Sequence, residues 1–134
     1  VDIAAVKKEF SVWCPFGDAK VHIRHISREE LKGIYKKATR IEFVKGAKTE
    51  QTDSVKADCL LGRAAVLDWE GFTEGDQDFP CTKENIDTLM KGYNAFARFV
   101  NDMCADLDAL VEIEKEAERK NSGSTSGQGL NTAE

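Results

Sequence analysis

Two short alternating runs open the chain. Phe10, Val12 and Cys14 alternate with Ser11 and Trp13, and Val21 and Ile23, with Ile26 beyond, alternate with His22, Arg24 and His25. Pro15-Phe16-Gly17-Asp18 supplies turn residues between them. Period-two patterning around such a turn predicts a hairpin or a pair of adjacent strands. A two-stranded ribbon is marginal alone, so one face must rest on the helices that follow.

Helical spacing then takes over. Ser27-Arg28-Glu29-Glu30 has the form of a capping box, in which Glu30 reaches back to the serine amide. Behind it Leu31, Ile34, Tyr35 and Ala38 share a face, with Lys32, Lys36 and Lys37 outward, and this helix is expected to end between Arg40 and Val44. Residues 45–52 have no periodicity and read as a polar loop. Asp53 or Thr52 then caps a helix through Val55, Cys59, Leu60, Ala64 and Leu67 toward Trp69. It is apolar on most sides and so central, with Gly62, Ala64 and Ala65 allowing close approach of a neighbour.

Gly71, Gly75 and the acidic cluster 74–78 form an exposed loop. Thr82, preceded by Pro80 and followed by Glu84, is the N-cap of a helix carrying Ile86, Leu89, Met90 and Tyr93. Gly92 and Asn94 predict a break. Past it Phe96, Phe99, Val100, Met103, Leu107, Leu110 and Val111 keep spacings of three and four, ending in a charged run at 112–120. The pattern as a whole predicts an α+β fold, mainly helical with four to five helices and a small N-terminal antiparallel β-ribbon. Residues 1–120 are expected to form a single globular domain and 121–134 a disordered Ser/Gly-rich tail.

Composition narrows the function classes. A net charge of −5 argues against nucleic acid as the main partner, because phosphate binding needs a clustered basic surface. Arg24, His25, Arg28, Lys32, Lys36, Lys37, Arg40, Lys45 and Lys48 nevertheless fall in one third of the chain. They read as a solvated face or as a local docking surface for an acidic partner. Cys14, Cys59, Cys81 and Cys104 lack CxxC spacing, no stretch has signal-peptide form, and no apolar run approaches the about 18 residues of a membrane span. Free thiols in a reducing cytoplasm are expected.

Candidate chemistry is sparse. His22 and His25, three apart on a strand, point to opposite faces and suit no shared metal. Glu74, Asp76 and Asp78 alternate as in a calcium loop, but Phe79 stands where the required glycine belongs. Gly71 and Gly75 make no phosphate-cradling pattern, and Asp106 and Asp108 do not share a helix face. No catalytic, metal or cofactor residue is assigned. Trp69, Phe72 and Phe79 read as a plug at the end of the core.

An apolar helix ending in Leu67-Asp68-Trp69-Glu70-Gly71-Phe72, an acidic turn, and Phe79-Pro80-Cys81-Thr82-Lys83-Glu84-Asn85 opening a helix resembles the tail assembly chaperone family of long-tailed phages. A later amphipathic helix running into a charged end with Lys120-Asn121 fits the same pattern, and Cys81 departs from it. The resemblance covers residues 55 to 121. It implies a non-enzymatic role in the cytoplasm of the bacterial host, without a cofactor. Such proteins bind the tape measure protein and keep it soluble, help recruit tail tube protein subunits, and are absent from the finished virion. A structural minor tail component, retained in the virion, is the competing class.

A holdase for a long helical client needs open apolar contact. On that reading Met103, Leu107, Leu110 and Val111 are the candidate partner-binding residues, for a client or for self-association, if they are exposed and not part of the core.

Overall fold

The alternating runs form the expected ribbon. β1 (Ser11–Phe16) pairs antiparallel with β2 (Ala19–Arg24), with Val12 opposite Ile23 and Cys14 opposite Val21. Those four side chains are buried, while Trp13 and His22 lie on the other face. The structure is a computed structural model describing residues 1–125, with side chains described through residue 121.

β2 has a second neighbour that the helical pattern conceals. The helix expected to reach Trp69 stops earlier, as α2 (Ser54–Ala65), and β5 (Val66–Glu70) joins the sheet in the order β1-β2-β5. Val66 and Trp69 are types that suit a pleated surface, and pairing β2's free edge outweighs the local preference. The register shifts between His22 and Ile23, so Asp68 and Val66 are paired while Leu67 is left out and exposed.

Between β2 and α2 the chain forms a helix whose Ile34 joins the core, and then a hairpin. α1 (Arg28–Lys37) starts at Ser27, whose Oγ accepts from Glu30 N at 3.2 Å. Glu30 does not use its carboxylate to close a capping box. Its Oε1 and Oε2 accept from Arg24 Nη1 and Nη2 at 3.0 and 2.6 Å, and Arg24 Nε donates to Ala64 O at 3.2 Å. This bidentate pair holds the start of α1 to the end of β2 and the end of α2.

Residues expected to finish α1 and continue as a polar loop form a second hairpin instead. β3 (Thr39–Val44) pairs with β4 (Ala47–Thr52) across Lys45-Gly46. Both turn residues have positive φ, 52° and 79°, the two-residue I′ geometry that matches strand twist. Its second position is a glycine, as that turn prefers.

Asp53 Oδ1 caps α2 by accepting from Lys56 N at 3.0 Å. Gly62 does what the small-residue run suggested: a Cβ there would lie 2.7 Å from Met90 Cγ and 3.0 Å from Ile86 Cγ2 of the next helix. α3 (Lys83–Gly92) and α4 (Asn94–Ala105) are separated at Tyr93, as Gly92 and Asn94 predict. A further break falls at Asp106, whose Oδ1 accepts from Ala109 N at 3.0 Å and caps α5 (Leu107–Thr125). The described residues thus hold five helices. α5 runs into the stretch expected to be disordered, and 126–134 lie outside the described residues.

The inner sheet face and α1 to α5 enclose the core, with Cys14, Val21, Ile23, Ala65, Phe96, Val100 and Leu110 essentially inaccessible. One end is aromatic. Phe96 meets Phe16, Trp69 and Phe72 edge-on at 5.7, 5.9 and 5.8 Å between ring centroids. Trp69 stacks on Phe72 at 4.9 Å and on Phe79 at 5.8 Å, and its Nε1 donates to Phe79 O at 2.6 Å. The loop between is a small ribbon of β6 (Thr73–Glu74) and β7 (Gln77–Asp78), closed by Phe79 N donating to Phe72 O at 3.0 Å. Thr82 Oγ1 caps α3 by accepting from Asn85 N at 3.1 Å, and Asn85 Nδ2 donates to Pro80 O at 2.8 Å. The tryptophan and Phe-Pro segments are therefore a plug and a cap.

Candidate protein-docking surface

The β3–β4 hairpin projects from the end of α1, and its root is fastened by short polar contacts. Thr39 Oγ1 donates to Tyr35 O at 2.7 Å and lies 2.9 Å from Thr52 Oγ1, while Asp53 N donates to Ala38 O at 2.9 Å. Beyond the root the two faces differ. One carries Arg40 and Glu42, paired at 2.7 Å, with Thr49 Oγ1 donating to Glu42 O at 3.1 Å, and ends at the exposed Val44. An exposed pair of that kind contributes little to stability.

The other face carries Thr39, Ile41 and Phe43, with Lys48 opposite Phe43 and Glu50 opposite Ile41. Ile41 is 55% exposed and Phe43 74%. Tyr35, on α1 beside them, is exposed too. A groove of about 470 Å³ between α1 and the hairpin is lined by Lys32, Tyr35, Lys36, Thr39, Ile41 and Glu50. Scattered exposed apolar residues need no explanation, but a contiguous apolar patch rimmed by charge marks an interaction site.

The charge rim is basic on an acidic chain. Lys32 and Lys36 of α1 line the groove with Glu50 of β4, and Lys48 stands opposite Phe43, whereas Arg40 lies on the other face with Glu42. These three lysines are exposed. Arg24 belongs to the fold and not to this surface: its hydrogen bond to Glu30 raises its own pKa and lowers that of Glu30. His25 is half-buried, and desolvation first, then the Arg24 charge, lowers its pKa.

Met103, Leu107, Leu110 and Val111, candidates for a partner if exposed, lie away from this surface. Leu110 is fully buried, with 0% exposure, inside the core. Met103, Leu107 and Val111 are half-buried and packed against that core. The α4–α5 stripe thus closes the body, and Leu110 offers a partner no free surface. Tyr35, Ile41 and Phe43 carry little sign of a shared surface in the sequence. The alternation Thr39-Ile41-Phe43 before Lys45-Gly46 was the available signal, obscured by a wholly polar β4.

Elsewhere the polar groups serve packing. His22 Nε2 lies 3.0 Å from Ser11 Oγ, and its ring stacks on Trp13 at 5.0 Å between centroids. The cross-strand Asp68 turns its Oδ1 to the Trp69 amide at 2.8 Å. His25 lies past the strand end, where its amide donates to Phe10 O at 2.8 Å. Among the described residues no cluster of three His, Cys, Asp or Glu is placed to hold a metal, and no helix is long and apolar enough to cross a membrane.

The four cysteines are free thiols. Burial pushes Cys14 and Cys104 up to about 11 from the usual 9.0. The neutral thiol is therefore the form the fold favours. That contribution is complete below pH 9, the value of the unfolded thiol, and is lost as pH rises toward 11. The urea midpoint is expected to fall across that window in the native chain, and to fall less steeply in Cys14→Val. Parallel slopes in the two proteins would refute the assignment.

Residues 24–121, a span containing the whole basic arm and the Trp69 to Asn85 segment, match the family model described as YdaY prophage protein. No curated protein and no solved structure matches the chain. The chain belongs to the YdaY prophage protein family and is phage-derived.

Proposed function

We propose that this protein is a non-enzymatic tail assembly chaperone that works by holding other phage polypeptides in the cytoplasm of the bacterial host. Its clients on this reading are the tape measure protein, which it keeps soluble, and the tail tube protein, whose subunits it helps recruit. The single observation that carries the reading is the projecting arm, with Tyr35, Ile41 and Phe43 open to solvent beside Lys32, Lys36 and Lys48.

The physical support is straightforward. A holdase must offer apolar surface without an enclosed cavity, and its folded body must not need that surface for its own core. Here the core is completed by α1 to α5 against the sheet, and no hairpin residue contributes to it. The prophage family and the resemblance across residues 55 to 121 support a phage setting.

Co-expression with the tape measure and tail tube proteins of the same phage, followed by affinity capture, tests the proposal. At least one of the two should be retained, and retention of neither refutes it. Mass spectrometry of purified virions separates the competing class: a chaperone is absent from the particle, whereas a minor tail component is found there.

A further inference from the structure

The arm is an unfinished layer. A sheet face is stabilised by burial against a second layer, and β1-β2-β5 achieves this with helices. The β3–β4 face meets α1 only at its root, and beyond it Ile41 and Phe43 stand bare on one side of a two-stranded ribbon. Resting on the chaperone reading above, we infer that this face docks an amphipathic helix with acidic flanks from the client protein.

Two features select that occupant. Ile41 and Phe43, the most exposed large apolar side chains of the ribbon, share one of its faces and do not stand along its edge, and Val44 is exposed on the other face. A strand added to an edge would satisfy backbone groups yet leave Ile41 and Phe43 in water. A helix laid across the face covers both, together with Tyr35, using apolar positions at helical spacing.

The rim sets the charge of the flanks. Lys32 and Lys36 line the α1 side of the groove, and Lys48 stands beside Phe43. Glu42 lies on the opposite face with Arg40, so Glu50 is the carboxylate that lines the groove. Acidic flanks find complementary charge there, while basic ones meet like charge.

The test uses the full, isotope-labelled chain and two synthetic peptides of about 20 residues, long enough to form a helix on binding. Both carry leucine at helical spacing, one with glutamate and the other with lysine at the flanking positions. The glutamate peptide should bind and shift the resonances of residues 35, 41 and 43. The lysine peptide should bind at least about tenfold more weakly, and Ile41→Ser/Phe43→Ser should weaken the glutamate peptide by a similar factor without changing the melting curve. Lys32→Glu/Lys48→Glu should reverse the preference.

Equal binding of both peptides, no binding of the glutamate peptide, or shifts confined to other elements would overturn the inference. So would a dimer of the free chain that Ile41→Ser/Phe43→Ser dissolves, because the face would then belong to a second copy. Failures of the two proposals are distinguishable. Client capture that survives Ile41→Ser/Phe43→Ser removes the docking face and leaves the chaperone reading. Selective peptide binding without client capture does the reverse.

Discussion

Phe96→Ala is expected to lower the unfolding free energy by about 3–5 kcal/mol, a large share of the 5–15 typical of a whole domain. Phe96 is inaccessible to solvent and touches three other rings, Phe16, Trp69 and Phe72, each edge-on. Removing it opens a cavity among aromatic side chains that are themselves tied down. Trp69 is held by its hydrogen bond to Phe79 O at 2.6 Å, so it cannot swing in to fill the space without breaking that bond. Urea unfolding followed by tryptophan fluorescence measures the loss. A cost below about 1 kcal/mol would mean the cluster is not the end of the core, since ordinary surface changes stay within about 0.5.

Leu110→Ala is the second large effect, at about 2–5 kcal/mol. Leu110 is fully buried in the first turns of α5, just beyond Asp106, whose carbonyl accepts from Leu110 N at 3.1 Å. From its spacing Leu110 is a partner contact only if exposed, and it is buried in the core. The comparison with Phe43→Ser separates the two roles. Phe43 is 74% exposed, so its loss should leave stability within about 0.5 kcal/mol. Similar unfolding costs for the two substitutions would show that the arm is packed against something in the free chain.

The elements legible in the sequence are those whose local pattern agrees with their surroundings. The β1–β2 ribbon, Ser27, Asp53 and Thr82 as caps, the interruption at Gly92-Asn94 and the close approach at Gly62 all follow from patterning, capping and size. What was not legible depends on distant partners. β5 is a strand because β2 offers it an edge, although residues 59–67 look helical when read alone. The Asp106 break hides within an unbroken apolar stripe, because both helices bury the same face. Glu30 leaves the expected capping box because Arg24 is brought within 2.6 Å of it.

The candidate site was the least legible part, for a physical reason. A core face announces itself by a repeated apolar position, and Met103, Leu107, Leu110 and Val111 do this well. The proposed docking face has only a few apolar residues, Tyr35, Ile41 and Phe43, drawn from two elements and diluted by lysines. The basic third of the chain was visible from the sequence, but not which of its members are spent on the fold. Arg24 is, through Glu30 and Ala64, whereas Lys32, Lys36 and Lys48 remain at the surface.

Affinity capture of the tape measure protein by the native chain and by Ile41→Ser/Phe43→Ser, expressed side by side at equal level, tests most directly whether this chain works by gripping a client with its hairpin. The expected result is retention by the native chain and loss by the variant, with both proteins equally folded. Equal retention by both, or by neither, would contradict it.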